Sequence, residues 1–104
     1  MKSLTTHLVL LPSAARTGTG QSNGFGASAI DHALLLIAIS AGALTTLKLQ
    51  VSVDNTVWWD YEDITSPSDG DVKKYPDFVA EYVRVYYDAG AGATFGITMV
   101  RKST

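Results

Sequence analysis

The chain has no cysteine. Disulfides, thiolate nucleophiles and Cys-based zinc sites are therefore excluded. Charge is scarce as well: 17% of the residues carry one, against ~25% in an average globular domain. Low charge without a long disordered run points to surface covered by packing or by neighbours. Net charge is −2, and the only close basic pairs are Lys73-Lys74 and Arg101-Lys102. Duplex binding needs many Lys and Arg on one face. No nucleic-acid partner is expected.

Long hydrophobic runs are missing too. Ala33 to Leu47 is free of charge but contains Ser40, Gly42, Thr45 and Thr46. A membrane-spanning helix needs about 20 apolar residues. No membrane span is expected. At the N-terminus, Leu8 to Leu11 is shorter than the ~7–15 residues of a signal-peptide core, and polar Thr5, Thr6 and His7 precede it. A chain of 104 residues is read as one domain, 1–104, with enough surface to bury a single core.

What is abundant is strand composition: Val, Ile, Leu, Thr and Tyr in segments punctuated by Gly. Thr6 to Leu11 reads as a first strand. Positions 12–28, rich in Gly, Ser, Thr and Asn, read as a long flexible surface loop or an arm ordered by a partner. Ala29 to Ile39 follows, and its part from Ala33 is apolar on both alternating faces. That fits a strand covered on both sides or a buried helix, and the β-rich surroundings favour strand. From Thr45 to Val53, Leu47, Leu49, Val51 and Val53 alternate with polar residues, the mark of a half-buried strand. Asp54-Asn55-Thr56 is a turn. Val57 to Tyr61 reads as a short aromatic strand, with Trp59 inward, and Ser66 to Asp71 as a loop. Val72 to Tyr75 reads as an edge strand closed by Pro76. Ala80 to Asp88 places Val83, Val85 and Tyr87 on one face and Tyr82, Arg84 and Tyr86 on the other. Thr94 to Arg101 is the last strand, with Phe95, Ile97 and Met99 on one side.

An internal echo is present. Ser40-Ala41-Gly42-Ala43 precedes an alternating strand, and Asp88-Ala89-Gly90-Ala91 precedes another at a constant offset of 48 residues. Each copy reads as a hairpin: apolar strand, small-residue turn, alternating strand. Two hairpins stacking their apolar faces make an antiparallel β-sandwich of about seven or eight short strands. A small closed barrel is the alternative fold.

Residues able to carry catalysis are sparse. The two histidines, His7 and His32, are far apart in sequence, and a catalytic zinc site needs three protein ligands. Ser13, Asp31 and His32 lack a nucleophile elbow. Gly18, Gly20 and Gly24 have the wrong spacing for a phosphate loop. Asp54, Asp60, Glu62, Asp63, Asp69 and Asp71 read as turn and surface chemistry, without the spacing of a calcium loop. No catalytic residue, metal or cofactor is expected. The aromatic pair Trp58-Trp59 carries more information, because one indole of a strand pair points outward. Beside Tyr82 and Tyr86 it would form an aromatic platform, with Arg84 able to stack on a ring.

Leu11-Pro12-Ser13-Ala14-Ala15-Arg16-Thr17 leads into a Gly/Ser/Asn stretch. Leu47 to Asn55, then Trp58-Trp59-Asp60, Tyr82-Val83-Arg84-Val85 and Thr94-Phe95-Gly96-Ile97-Thr98 follow in order. This order resembles the small β-sandwich structural proteins of tailed-bacteriophage virions. Ser40-Ala41-Gly42-Ala43 departs from the longer turn expected there. The resemblance implies a non-enzymatic virion component, first a capsid decoration (cement) protein on the outside of the head. A tail or fibre accessory protein is the alternative within that class. A carbohydrate-binding module using the aromatic platform is the alternative outside it. The implied partners are the major capsid protein or other virion proteins, with a homo-oligomer, a trimer by preference, and solubility in the host cytoplasm before assembly. The candidate interface comprises Arg16, Phe25, Leu35, Ile37, Trp58, Trp59, Tyr82, Arg84 and Tyr86.

Overall fold

A computed structural model describes residues 4–28 and 32–103. Asp31, weighed above as a triad member, lies outside them. The described residues form nine strands and no helix: β1 (Leu4–Arg16), β2 (Thr19–Gln21), β3 (Phe25–Gly26), β4 (His32–Gly42), β5 (Thr46–Ser52), β6 (Trp59–Thr65), β7 (Val72–Tyr75), β8 (Tyr82–Asp88) and β9 (Ala93–Ser103). One antiparallel sheet has the order β1-β9-β4-β7. The other runs β2-β8-β5-β6, with β3 also on β8. Two sheets packed face to face make the expected sandwich.

The core follows from the alternation. Leu35 and Ile37 on β4, Leu47 and Leu49 on β5, Val83 and Val85 on β8, and Phe95, Ile97 and Met99 on β9 are all buried between the sheets. Each such side chain stabilises the fold by roughly 1.5–3 kcal/mol relative to exposure. Tyr61, bulged out of the β5–β6 ladder, lies 5.5 Å from Tyr75 and 5.2 Å from Phe78 in edge-to-face geometry. This cluster closes the core where β6 and β7 form neighbouring edges of the two sheets.

Three expectations are corrected. The stretch 12–28 is no structureless loop. β1 continues through Arg16, and β2 and β3 pair with β8. Two bulges let β1 absorb Pro12 and its polar neighbours without leaving β9. Gly24 then passes so close to Asn55 and Trp58 that a Cβ would collide with both. Composition pointed to a loop because it cannot register backbone pairing supplied by β8 and β9, far downstream in the chain.

The 48-residue echo is real in space, but its copies are not hairpins. β4 and β5 belong to different sheets, as do β8 and β9, so each copy is an arch across the core. The arches pair with one another. A shift of 48 carries Ile37↔Ile97 onto Val85↔Leu49, and Leu35↔Met99 onto Val83↔Val51, and each is an observed pair. The repeat is thus an internal two-fold relation. Its corresponding turn glycines, Gly42 and Gly90, share the left-handed conformation, with φ of 73° and 54°.

The third correction concerns the aromatic strand. It begins at Trp59 and runs to Thr65, and Trp59 is 54% exposed. Paired with Val51, Trp59 does lie on the inward side of its sheet. The sandwich is open at that end, so facing inward does not bury it.

Candidate functional site

The outer face of the β2-β8-β5-β6 sheet carries a connected polar and aromatic surface. Alternation places Lys48 and Gln50 on the face of β5 opposite its buried leucines, and Arg84 and Tyr86 on the same face of β8. Asp60 pairs with Gln50, and Gln50 with Arg84, so the three form one transverse row. Arg84 Nε donates to Gln50 Oε1 at 2.8 Å, and Gln50 Nε2 donates to Asp60 Oδ1 at 2.9 Å. Lys48 Nζ closes the chain on Asp60 Oδ2 at 3.2 Å. The Arg84 guanidinium carbon stands 4.4 Å from the centre of the Trp58 ring. Tyr82 and Tyr86 flank Arg84 along β8, both half-buried.

The electrostatics of this face are those of a satisfied network. The Gln50 hydrogen bond, aided by Lys48, holds the Asp60 carboxyl below the usual carboxylate range. Asp60 in turn raises the Lys48 ammonium. Neither group is poised for proton transfer near neutrality. Asp54, Asp69 and Asp71 accept backbone amides. Asp54 Oδ1 accepts from the Thr56 and Val57 amides at 2.9 and 3.0 Å, which lowers its pKa. Asp69 Oδ1 accepts from Ile39 N, and Asp71 Oδ2 from Ser68 N. His7 and His32 sit exposed on β1 and β4, and no metal-ligating cluster forms among the described residues.

The expected interface residues separate into groups. Trp58, Tyr82, Arg84 and Tyr86 do come together on the outer face. Trp59 does not join them; it lines a cleft of about 430 Å³ at the open end with Val53, Phe78 and Val79. Arg16 is half-buried and committed to structure, donating to the carbonyls of Phe95 at 2.8 Å and Pro12 at 2.6 Å while lying over the Phe95 ring. Phe25 packs against the core from β3. Leu35 and Ile37, at 0% and 2% exposure, are core and cannot meet a partner. The apolar outer residues of β4 are their alternates, Leu34 and Leu36, both half-buried. Strand parity would have separated the two sets, had the side of the second sheet been known.

Sequence reasoning missed Val53 and Val79. Val79, 82% exposed, stands in the connection after β7, where no periodicity marks it. It also missed the second groove, of about 390 Å³, on the outer face of the other sheet, lined by Leu34, Val100, Lys74 and Lys102 among others.

No protein-family model matches the chain, and no curated protein sequence matches it. A solved structure does. The chain shares its fold with a prophage protein. The crystal structure of SPBc2 prophage-derived protein YomS superposes with a TM-score of 0.71, covering 99% of this chain and 96% of that one at 12% identity. So low an identity carries the shared architecture and nothing about individual site residues.

Proposed function

We propose that the chain is a non-enzymatic structural component of a tailed-phage particle, acting as a decoration protein that cements the capsid exterior through its outer faces. The observation that carries this reading is the Trp58–Arg84–Gln50–Asp60–Lys48 surface. It is internally hydrogen-bonded from Arg84 to Lys48 and ends on the Trp58 ring, against which Arg84 stacks. Such a surface is ordered before it binds, so it loses little side-chain entropy on docking. Trp, Tyr and Arg are also the residues that dominate binding energy at interfaces. The fold shared with a prophage-derived protein supports a phage origin. The partners are the major capsid protein or other virion proteins. The glycan reading is weakened because Arg84 already occupies one face of the Trp58 ring.

The test is co-sedimentation of the purified chain with heads, and separately with tails, of the phage that encodes it. Saturable binding to heads, weakened at least ~10-fold by Arg84→Ala in a folded variant, supports the decoration role. Binding to tails alone moves the role to a tail or fibre accessory. Binding to neither overturns the virion reading, and a glycan screen with Trp59→Ala as control then decides the module.

A further inference from the structure

An open sandwich has edges, and an unprotected edge strand recruits another strand. This protein treats its edges unequally. β6 is bulged at Tyr61 and carries Asp60, Glu62 and Asp63. β7 is four residues long and carries Lys73 and Lys74 before Pro76. β2 and β3 have three residues and two. Each is too short, too charged or too bent to add a strand.

β1 is different. It is 13 residues long, pairs on one side with β9 and with no other strand among the described residues. Its second half is defended. Pro12 lacks an N–H, two bulges bend the backbone, and Arg16 takes the Pro12 and Ala14 carbonyls. Its first half has none of these devices. Leu4 to Val9 pairs with β9 in unbroken register, without Pro, Gly or a formal charge.

We infer that the free edge of β1 from Leu4 to Val9 pairs antiparallel with the same edge of a second copy, joining two four-stranded sheets into one continuous sheet. Charge selects the occupant. An edge that meets its own copy about a two-fold axis sets like residues near like, so it must be neutral to pair. β6 would confront its own acids and β7 its own lysines. The first half of β1 confronts Thr, His, Leu and Val. Exposed Val9 at the junction adds apolar contact beside the new ladder. The arrangement is a two-fold dimer, in place of the trimer expected from the resemblance, and it does not depend on the virion role.

The test begins with the solution mass of the full chain across a concentration series. The expected result is a dimer, twice the 11.1 kDa of one chain. His7 and Val9 are exposed and lie on one face of β1, so both accept charge without entering the core. His7→Lys/Val9→Lys and His7→Glu/Val9→Glu should each weaken self-association at least ~10-fold, because like charges then oppose across the axis. Mixing the two variants should restore a heterodimer. A wild-type monomer, a trimer, or a dimer indifferent to both charged pairs overturns the inference. Circular dichroism of each variant establishes that it is folded. Capsid binding is read separately, so either proposal can fail without the other.

Discussion

Arg84 lies over the indole of Trp58 at 4.4 Å while its Nε is held by Gln50 at 2.8 Å. The guanidinium is thus fixed in two directions, by a ring face and by an amide oxygen. Its planar fork allows both contacts at once, which a lysine ammonium cannot reproduce. Arg84→Ala should shift Trp58 fluorescence to the red and cost about 0.5–2 kcal/mol in urea denaturation. Arg84→Lys should recover less than half of that loss. Full recovery by Lys would mean that charge alone, without stacking, sustains the contact.

The two arch glycines offer a controlled comparison. Gly42 and Gly90 are related by the 48-residue repeat and share a left-handed φ. A Cβ on Gly42 would collide with the Gly92 carbonyl, whereas on Gly90 its nearest neighbour is Thr45 Oγ1 at 3.7 Å. Gly90→Ala should therefore show the conformational cost alone, about 1–2 kcal/mol. Gly42→Ala should exceed it by at least ~1 kcal/mol, since the opposing atoms are backbone. Thermal melts of both variants check the order.

Tyr75 is buried against Tyr61 and Phe78, and its hydroxyl has no hydrogen-bond partner among the described residues. Burial, with the Glu62 carboxylate next in effect, pushes the phenol far above its ordinary range. The folded chain then keeps Tyr75 protonated at a pH where the unfolded chain ionises it. Stability is intact below the ordinary tyrosine pKa of about 10 and falls as pH rises beyond it. Tyr75→Phe should be neutral or stabilising by up to ~1 kcal/mol at pH 7 and should flatten the alkaline decline. Urea titrations at pH 7 and above 10 read both effects.

Arg16 holds the bulged half of β1 through Pro12, Ala14 and Phe95 carbonyls. Arg16→Ala should release that segment. Amide exchange at Ser13 and Ala14 should accelerate at least ~10-fold, with a loss of about 1–3 kcal/mol, while the exchange of core β9 amides changes little. Uniform acceleration across β9 would show that the clamp supports the whole sheet.

Val79 and Trp59 are exposed yet share one cleft with Val53. Val79→Ser should leave stability within ~0.5 kcal/mol of wild type, as expected for an exposed side chain. In the head-binding assay it should weaken attachment if the cleft seats a partner's apolar residue. Unchanged binding would confine the interface to the outer face around Arg84.

Much of the fold was legible because period-two alternation is local. The buried faces of β5, β8 and β9 follow from Leu47-Leu49, Val83-Val85 and Phe95-Ile97-Met99 read two by two. The 48-residue repeat was legible for the same reason. The site was half legible: Tyr82, Arg84 and Tyr86 share a face by alternation, but their junction with Trp58, Gln50 and Asp60 needed the β8-β5-β6 order. Leu35 and Ile37 were misassigned to an interface because an apolar run gives both faces equal weight.

By itself, then, the sequence determined an all-β chain, its strand faces, its turn glycines and the absence of thiol chemistry, since each depends on neighbouring residues and backbone sterics. Only the tertiary structure decided that the repeated turns are arches and that 12–28 holds the end of β1 and two short strands paired to β8. It alone left Trp59 open and β1 with an edge that no other described strand covers. Those outcomes depend on which strands lie beside which, and pairing between residues scores apart in the chain leaves no local mark on either partner.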